Sequence, residues 1–272
     1  MDVVSSQVLF NRPETRSVYR LGFRYDAFLR GPRAARFVML SLHGPQVQVL
    51  PRPFSLSDAY RDEQGLPVAE VLYKPIGRVT SRMALLREGD EISVGGLCGN
   101  GFPDPSPKRR PVLLAGGIGN APFALQIREL ISGPFAGREA EILVFLAGRS
   151  SEDIYLQQDA RAAGVTVVEV TEDGSRGERG RITDALVRRL GSLGPIEGFA
   201  CGPEPMLHAL KQLAKEHEFP CHLAVEERMA CGYGVCNACV ILSEREGVDA
   251  ADAPYLRACI DGPVFESREI CL

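Results

Sequence analysis

The sequence predicts a multidomain protein that joins β and α/β architecture in three consecutive units. Three observations carry this. Short, apolar, often β-branched runs separated by Gly- and Pro-bearing turns fill the first hundred or so residues. After a proline-rich break, buried-strand runs alternate with helical stretches, the pattern of βαβ units in a parallel sheet. Four cysteines in a ligand-like spacing then occupy the end of the chain. The units are placed at residues 1–105, 106–218 and 219–272.

In the first unit, residues 37–42, 47–50 and 68–73 read as strands, with turns at Gly31-Pro32 and Gly44-Pro45. Repeated short strands at this spacing suggest a sandwich or a barrel. One helix is expected near residues 80–86, ending before Gly89-Asp90. The break spans residues 100–111 and holds four prolines. Beyond it, strands are expected at 112–115, 141–147, 165–170 and 198–201, and helices at 122–131 and 204–215.

The 272 residues allow two domains, or two and a small appendix. A hydrophobic content of 45% supports a real core, and a net charge of −4 gives no reason to expect nucleic acid or an acidic membrane surface. No apolar run approaches the roughly 18–20 residues of a membrane span. The first residues lack the basic start and apolar stretch of a secretory signal. With four of eight cysteines clustered in a ligand pattern, a reducing, cytoplasmic setting is expected.

The cysteines carry the strongest chemical signal. Cys231-Gly-Tyr-Gly-Val-Cys236-Asn-Ala-Cys239, followed by Cys259, has the C-x4-C-x2-C…C spacing that holds a plant-type 2Fe-2S cluster. The small residues between them let the backbone bend and turn amides toward cluster sulfurs. Such a cluster passes one electron at a time and points to electron transfer rather than hydrolysis. A structural zinc site is the alternative, but zinc ligands come as short paired knuckles that fit this triplet poorly; unrelated buried cysteines are a third reading.

Upstream, Gly116-Gly117-Ile118-Gly119-Asn120-Ala121-Pro122 follows a strand and opens a helix. Gly116, Gly117 and Gly119 are candidates for close approach to a dinucleotide pyrophosphate at a helix N-terminus, although the string is not G-x-G-x-x-G and a glycine turn is often purely structural. Cys201, Gly202 and Pro203 stand in the same strand-to-helix context. Ligands of open α/β sheets bind outside the carboxyl ends of the strands, where both motifs lie. Cys201 either faces a nicotinamide ring or is a small buried hydrophobe. Residues 171–175 follow the third strand and either line the site or form a plain turn. In the first unit, Arg52, Pro53, Phe54 and Ser55 combine a guanidinium able to pair a phosphate, a flat ring and a hydroxyl; the bland reading is a charged edge residue beside a core Phe. Leu72, Tyr73 and Lys74 add an aromatic and a cation, and Gly77-Arg78-Val79-Thr80 offers a pyrophosphate seat.

Taken in order, R-P-F-S, L-Y-K, G-x-x-T, G-G-I-G-x-A-P and C-G-P resemble the ferredoxin–NADP reductase superfamily. Glu226-Glu227-Arg228-Met229-Ala230-Cys231-Gly232, with Cys259-Ile260-Asp261-Gly262-Pro263-Val264-Phe265, narrows the resemblance to the electron-transfer subunits of class 1B dihydroorotate dehydrogenases. Gly99-Asn100-Gly101-Phe102 and the stretch from Thr171 to Thr183 match that family too, so the similarity spans nearly the whole chain. The resemblance implies an antiparallel flavin-binding β-barrel, a nicotinamide-binding α/β domain and a small cluster lobe. It further implies one FAD and one 2Fe-2S cluster per chain, and NAD as substrate. Arg52, Pro53, Phe54, Ser55, Leu72, Tyr73 and Lys74 would contact the flavin, with Val79 and Thr80 at its pyrophosphate. Cys231, Cys236, Cys239 and Cys259 would hold the cluster. The implied partner is a catalytic dihydroorotate dehydrogenase subunit carrying FMN.

This chain departs from the family at Val79, where glycine is usual, and at Asn120, where an apolar residue is usual. Arg149, Ser150 and Ser151 could read a 2′-phosphate, but Glu152 and Asp153 discourage it, and NAD is expected. Glu227 and Arg228 belong to a partner surface, to the flavin edge or to a solvated turn. Cys98, Cys221 and Cys271 have no assigned role. No Ser-His-Asp, paired-carboxylate or H-E-x-x-H arrangement calls for another mechanism. The competing functions are a reductase component for another redox partner (an oxygenase, sulfur reductase or ferredoxin) and a non-enzymatic redox-sensing or zinc-binding module.

Overall fold

The structure is a computed structural model that describes residues 2–26, 31–43, 50–244 and 253–272. The turn expected at Gly44-Pro45 and the strand expected at 47–50, apart from Leu50, lie outside the described residues.

Six strands form the first unit: β1 (Val3–Pro13), β2 (Tyr19–Arg24), β3 (Phe37–Leu42), β4 (Arg52–Arg61), β5 (Pro67–Tyr73) and β6 (Glu91–Cys98). They close into a barrel in the order β1-β2-β5-β4-β3-β6, antiparallel at every seam. Closure leaves no sheet edge to solvent. The spacing of the strand runs had left sandwich and barrel open, and the long-range pairing of β1 with β6 decides for the barrel. The sequence reading did not single out β1 and β2 as strands.

Helix α1 (Arg78–Met83) seats against the barrel through buried Val79 and Met83. It starts two residues before the expected 80–86 and ends three residues before it. At the start, the Gly77 amide donates to Thr80 Oγ1 (3.0 Å) and that hydroxyl donates back to the Gly77 carbonyl (3.1 Å). At the end, Asn11 Nδ2 takes the Met83 and Leu86 carbonyls (2.8 and 3.2 Å), which satisfies groups a longer helix would have used.

The second unit holds β7 (Arg110–Gly116), α2 (Phe123–Ile131), β8 (Leu143–Gly148), α3 (Gln157–Ala162), β9 (Thr166–Thr171), β10 (Glu178–Arg179), α4 (Ile182–Leu193), β11 (Ile196–Cys201) and α5 (Glu204–Glu216). Every strand and helix expected there is present. Helix α4, absent from the sequence reading, buries Ile182, Ala185 and Leu186, the i, i+3, i+4 stripe of an amphipathic helix.

The seven-stranded sheet runs β10-β9-β8-β7-β11-β12-β15, where β12 is Cys221–Ala224 and β15 is Val264–Glu266. All neighbours are parallel except β12 and β15. Both of these strands fall within residues 219–272, yet they are strands of the nucleotide sheet. The cysteine segment therefore leaves the sheet after β12 and returns to it at β15. Between them lies a two-stranded ribbon, β13 (Val240–Leu242) with β14 (Tyr255–Arg257). At three or four residues, β12 and β15 are too short to register as strands from local pattern alone.

The units are joined by specific contacts. Asn100, just past β6, donates from Nδ2 to the Asp261 and Val264 carbonyls (3.1 and 2.8 Å). Its Oδ1 accepts from the Val264 amide (3.1 Å), and its own amide donates to the Gly262 carbonyl (2.8 Å). Phe102 stacks on Phe123 of α2 at 5.8 Å and meets Phe199 of β11 edge-on at 5.7 Å. On the far side of α2, Arg128 pairs with Asp58 of β4 at 2.6 Å, and the Glu129 carboxylate accepts from the Ala34 amide at 3.3 Å. No helix among the described residues is long and apolar enough to cross a membrane.

Two predictions concern these joints. Asn100→Ala removes three side-chain hydrogen bonds, and a chemical-denaturation series should show it less stable by about 1–3 kcal/mol. Glu129 is raised from 4.5 to about 7, chiefly by burial. A carboxyl raised on folding stabilises the protein fully below its unfolded value, and that contribution is lost as pH rises through the folded value. Stability should therefore fall by on the order of 2 kcal/mol between pH 4.5 and about 7 through this group. In thermal melts, Glu129→Gln should flatten the curve over that window relative to wild type; parallel curves would show that the group does not titrate there.

Candidate functional site

Two clefts open side by side where the barrel meets the carboxyl ends of the parallel strands. The larger, about 600 Å3, lies over the ends of β7, β8 and β11 and is lined in part by Gly116, Gly117, Arg149, Glu172, Pro203 and Met206. The smaller, about 340 Å3, lies between barrel and sheet and is lined in part by Pro53, Phe54, Ser55, Leu72, Tyr73 and Thr80. Lys74 and Ile118 border both clefts. The position follows from topology: in open α/β sheets, ligands sit outside the carboxyl edge.

The walls of the larger cleft are two loops brought into unusually close contact. β7 and β11 are parallel neighbours, with Cys201 opposite Ala115. A Cβ on Gly119 would lie 2.2 Å from the Cys201 carbonyl oxygen, and one on Gly116 would lie 2.5 Å from Met206 Sδ. A Cβ on Gly202 would lie 2.4 Å from Met206 Cε. Gly116, Gly119 and Gly202 thus serve loop-to-loop packing. Gly117 is different: it has φ +54 and open space where a side chain would point. Its carbonyl is held from below by Asn120 Nδ2 and the Tyr155 hydroxyl, both donating at 2.6 Å. Asn120 is therefore a buttress of the turn.

Lys74 Nζ donates to Asp153 Oδ1 at 2.9 Å across the junction of the clefts. Burial acts to raise the Asp153 carboxyl, but the Lys74 ammonium and the Arg149 and Ser150 amides outweigh it and hold it below its ordinary value. Tyr73 is buried, its hydroxyl donating to Asn11 Oδ1 at 2.9 Å, and Phe54 meets its ring edge-on at 6.3 Å. Cys201 lines the smaller cleft, with its thiol pushed up by burial.

Four expected residues do not line the clefts: Gly119 and Gly202, which are taken up in the packing just described, and Arg52 and Val79. The Arg52 guanidinium donates to the Leu50 and Pro51 carbonyls (3.0 and 3.3 Å) at the exposed start of β4. The Val79 side chain is buried in the barrel core, where its apolar surface packs, so only its backbone is available to a ligand. The sequence reading did not single out Ile76, Met206, Arg181 or Pro205, which tertiary packing places on the walls. Met229, Glu226 and Pro263, quoted only as part of the cysteine-lobe motif, also line the smaller cleft.

Beyond Met229 comes the cysteine loop. Gly232, Gly234 and Asn237 take φ of +77, +82 and +52, which bend the chain around the sulfurs. No three His, Cys, Asp or Glu side chains among the described residues are grouped around one metal position. The cysteines pair instead. Cys239 and Cys259 are both buried, with sulfurs 3.2 Å apart, and the Cys236 thiol interacts with Cys231. Pairs are what a 2Fe-2S cluster needs, since its four thiolates divide between two irons. Burial acts to raise Cys231, but the Tyr233, Cys236 and Val235 amides and the Cys236 thiol outweigh it and lower it to about 6. Amides aimed at a thiolate favour a sulfur-bound, negatively charged group, and the free cysteines fit a 2Fe-2S cluster. Cys259 is pushed up to about 12 by burial and by Cys239.

The close contact at Gly119 yields a prediction. Gly119→Ala overpacks the seam against Cys201, at a cost of about 1–3 kcal/mol. Binding of NADH, followed by titration, should weaken roughly tenfold or more while flavin content stays at the wild-type level; unchanged affinity would show that the seam does not shape this cleft.

Comparison with known proteins agrees with this layout. Residues 226–271 match the iron-sulfur cluster binding domain of dihydroorotate dehydrogenase B, and residues 113–212 match the oxidoreductase NAD-binding domain. The dihydroorotate dehydrogenase B (NAD(+)) electron transfer subunit of Bacillus velezensis is 33% identical over 94% of this chain and 93% of its own length. Its counterpart from Caldanaerobacter subterraneus subsp. tengcongensis is 31% identical over 98% of both chains. Among solved structures, a chain of an NADH-dependent reduced ferredoxin-NADP oxidoreductase superposes with a TM-score of 0.81 at 23% identity, covering 98% of this chain and 89% of that one, and shares the fold. With relatives of 31% and 33% identity matched over nearly their whole length, this chain belongs to the family of dihydroorotate dehydrogenase B (NAD(+)) electron transfer subunits.

Proposed function

We propose that this protein moves electrons between NAD+ and a catalytic dihydroorotate dehydrogenase subunit carrying FMN, by way of a 2Fe-2S cluster and FAD, as a step in pyrimidine biosynthesis. The observation that carries this is the order of the sites in space. The nucleotide cleft and the flavin cleft meet at Lys74 and Ile118, and Met229, which also lines the flavin cleft, stands two residues before the first cysteine of the loop. Nicotinamides exchange a hydride and clusters exchange single electrons; a flavin does both, so it belongs between them.

The protein's own part is to bind, orient and insulate. Pro53, Phe54, Ser55, Leu72, Tyr73, Lys74 and Thr80 form the flavin seat, with the Tyr73 ring held rigid by Asn11. Thr80 keeps its hydroxyl on the Gly77 backbone, so the first turn of α1 offers amides to a pyrophosphate. Gly117 and the turn it supports would receive the nicotinamide nucleotide, with Pro203 on the wall of that cleft and Cys201 on the wall of the flavin cleft. Cys231 and Cys236 would hold one iron, and Cys239 and Cys259 the other, and the cluster would supply the one-electron chemistry. Tyr233, Val235 and Ile260 stand 48%, 72% and 47% exposed around these sulfurs. Large apolar side chains gathered on a surface mark a docking face, and this one brings the catalytic subunit to the cluster. A reducing, cytoplasmic setting fits thiols kept free for metal.

The test is a preparation of the chain co-purified with its catalytic subunit. Absorbance and metal analysis should give bound flavin and two irons per chain, and NAD+ reduction should require dihydroorotate. Cys259→Ser should lose iron while NADH still bleaches the flavin. Zinc without flavin, or NAD+ reduction indifferent to dihydroorotate, would overturn the reading.

A further inference from the structure

The wall that separates the flavin cleft from the cysteine loop is a sulfur-rich apolar contact between barrel and lobe. Met39, on β3, is 1% exposed and pairs across the sheet with Pro53, which lines the flavin cleft. The pairing of β3 with β6 is irregular between Phe37 and Met39, a bulge that re-aims side chains locally. On the lobe side, Gly232 directly follows Cys231. A Cβ there would lie 2.7 Å from Met39 Cγ and 2.9 Å from its Sδ, so the loop rests on the thioether with no room for a side chain. Met229 lines the cleft and stands two residues before Cys231. Phe37, Met39, Cys239 and Cys259 belong to one buried apolar cluster, with Met229 packed against it.

We propose, building on the electron-transfer reading above, that Met39 and Met229 are positioning residues for transfer between flavin and cluster. Met39 seats the Cys231-Gly232 turn on the barrel, and Met229, half-buried, lines the flavin cleft where the chain leads into the loop. Together they set the separation of the two cofactors. Single-electron transfer falls steeply with separation, so a looser seat slows it. Each event moves one electron, oxidising one cofactor and reducing the other, and neither methionine gains or loses a bond or a proton. With flavin and cluster bound, two such one-electron events and one proton would account for the hydride that NAD+ accepts. Met is a fitting choice because its flexible, polarizable side chain fills an irregular gap between separately folded elements.

The experiment uses the complex with its catalytic subunit, carrying Met39→Ala, Met39→Leu or Met229→Ala. Rapid mixing with NADH follows flavin bleaching and then cluster reduction by absorbance, with the reduced cluster counted by paramagnetic resonance and iron and flavin assayed per chain. In Met39→Ala the NADH-to-flavin step should stay within about twofold of wild type, while the flavin-to-cluster step slows about tenfold or more. Met39→Leu, which refills the seat, should recover most of the rate. Loss of iron from Met39→Ala with flavin retained and iron restored by Met39→Leu supports the same seating role. Wild-type flavin-to-cluster rates in iron-replete Met39→Ala, or equal slowing of both steps, overturn the proposal. Should Met39→Ala fail to fold, Met229→Ala is read on the flavin-to-cluster step alone at wild-type flavin and iron content, a wild-type rate there overturning the proposal. A wild-type preparation without flavin and iron would instead overturn the electron-transfer reading itself, and this proposal with it.

Discussion

The carboxamide of Asn100 is the joint on which the arrangement depends. It sits where the barrel ends, and through both of its polar atoms and its own amide it holds the chain at Asp261, Gly262 and Val264, where the cysteine lobe re-enters the nucleotide sheet. A carboxamide offers donors and an acceptor at once, so it can satisfy a run of backbone groups that no strand partner reaches. Gly99 has φ +78, and a Cβ there would lie 2.4 Å from Pro263 Cδ, so backbone conformation and close packing fix the same junction. A few ångströms of freedom here would separate the flavin-bearing barrel from the cysteines.

The second constraint is steric rather than polar. The loops after β7 and β11 touch through glycines, with carbonyls and a methionine occupying the space that side chains would need. Their contact shapes the nucleotide cleft and places Cys201 and Ile118 between that cleft and the next. Polar groups then fine-tune this scaffold: the Gly117 carbonyl is pinned by Asn120 and Tyr155, and Lys74 is tied to Asp153 across the mouth. Close packing sets where the ligands can lie, and the buried hydrogen bonds keep the walls from drifting.

The cysteine lobe is an insertion between β12 and β15, so it inherits its position from the nucleotide sheet while its loop rests on the barrel. This double attachment accounts for a contrast within the lobe. Cys239 and Cys259 are buried in the apolar cluster that reaches the barrel, whereas Cys236 and the apolar residues around it face outward. One side of the lobe rests on the barrel beside the flavin cleft and the other is exposed, which suits a group that passes electrons through.

The sequence by itself determined the chemistry and the order of the units. Cysteine spacing, glycine turns after strand runs and the change from short strands to alternating strands and helices are local patterns, and local patterns survive in a linear string. Phe54, Ser55, Tyr73, Gly117 and the four cysteines were legible for that reason. Tertiary structure alone decided how they are used. The closure of the barrel rests on β1 meeting β6, and the membership of β12 and β15 in the nucleotide sheet rests on pairing that three- or four-residue strands do not announce. Arg52 turned to nearby carbonyls and Val79 to the core, because hydrogen-bond satisfaction and burial act on each side chain where the fold puts it. The seat of Gly232 on Met39 joins residues nearly two hundred positions apart, and only packing in three dimensions brings them together.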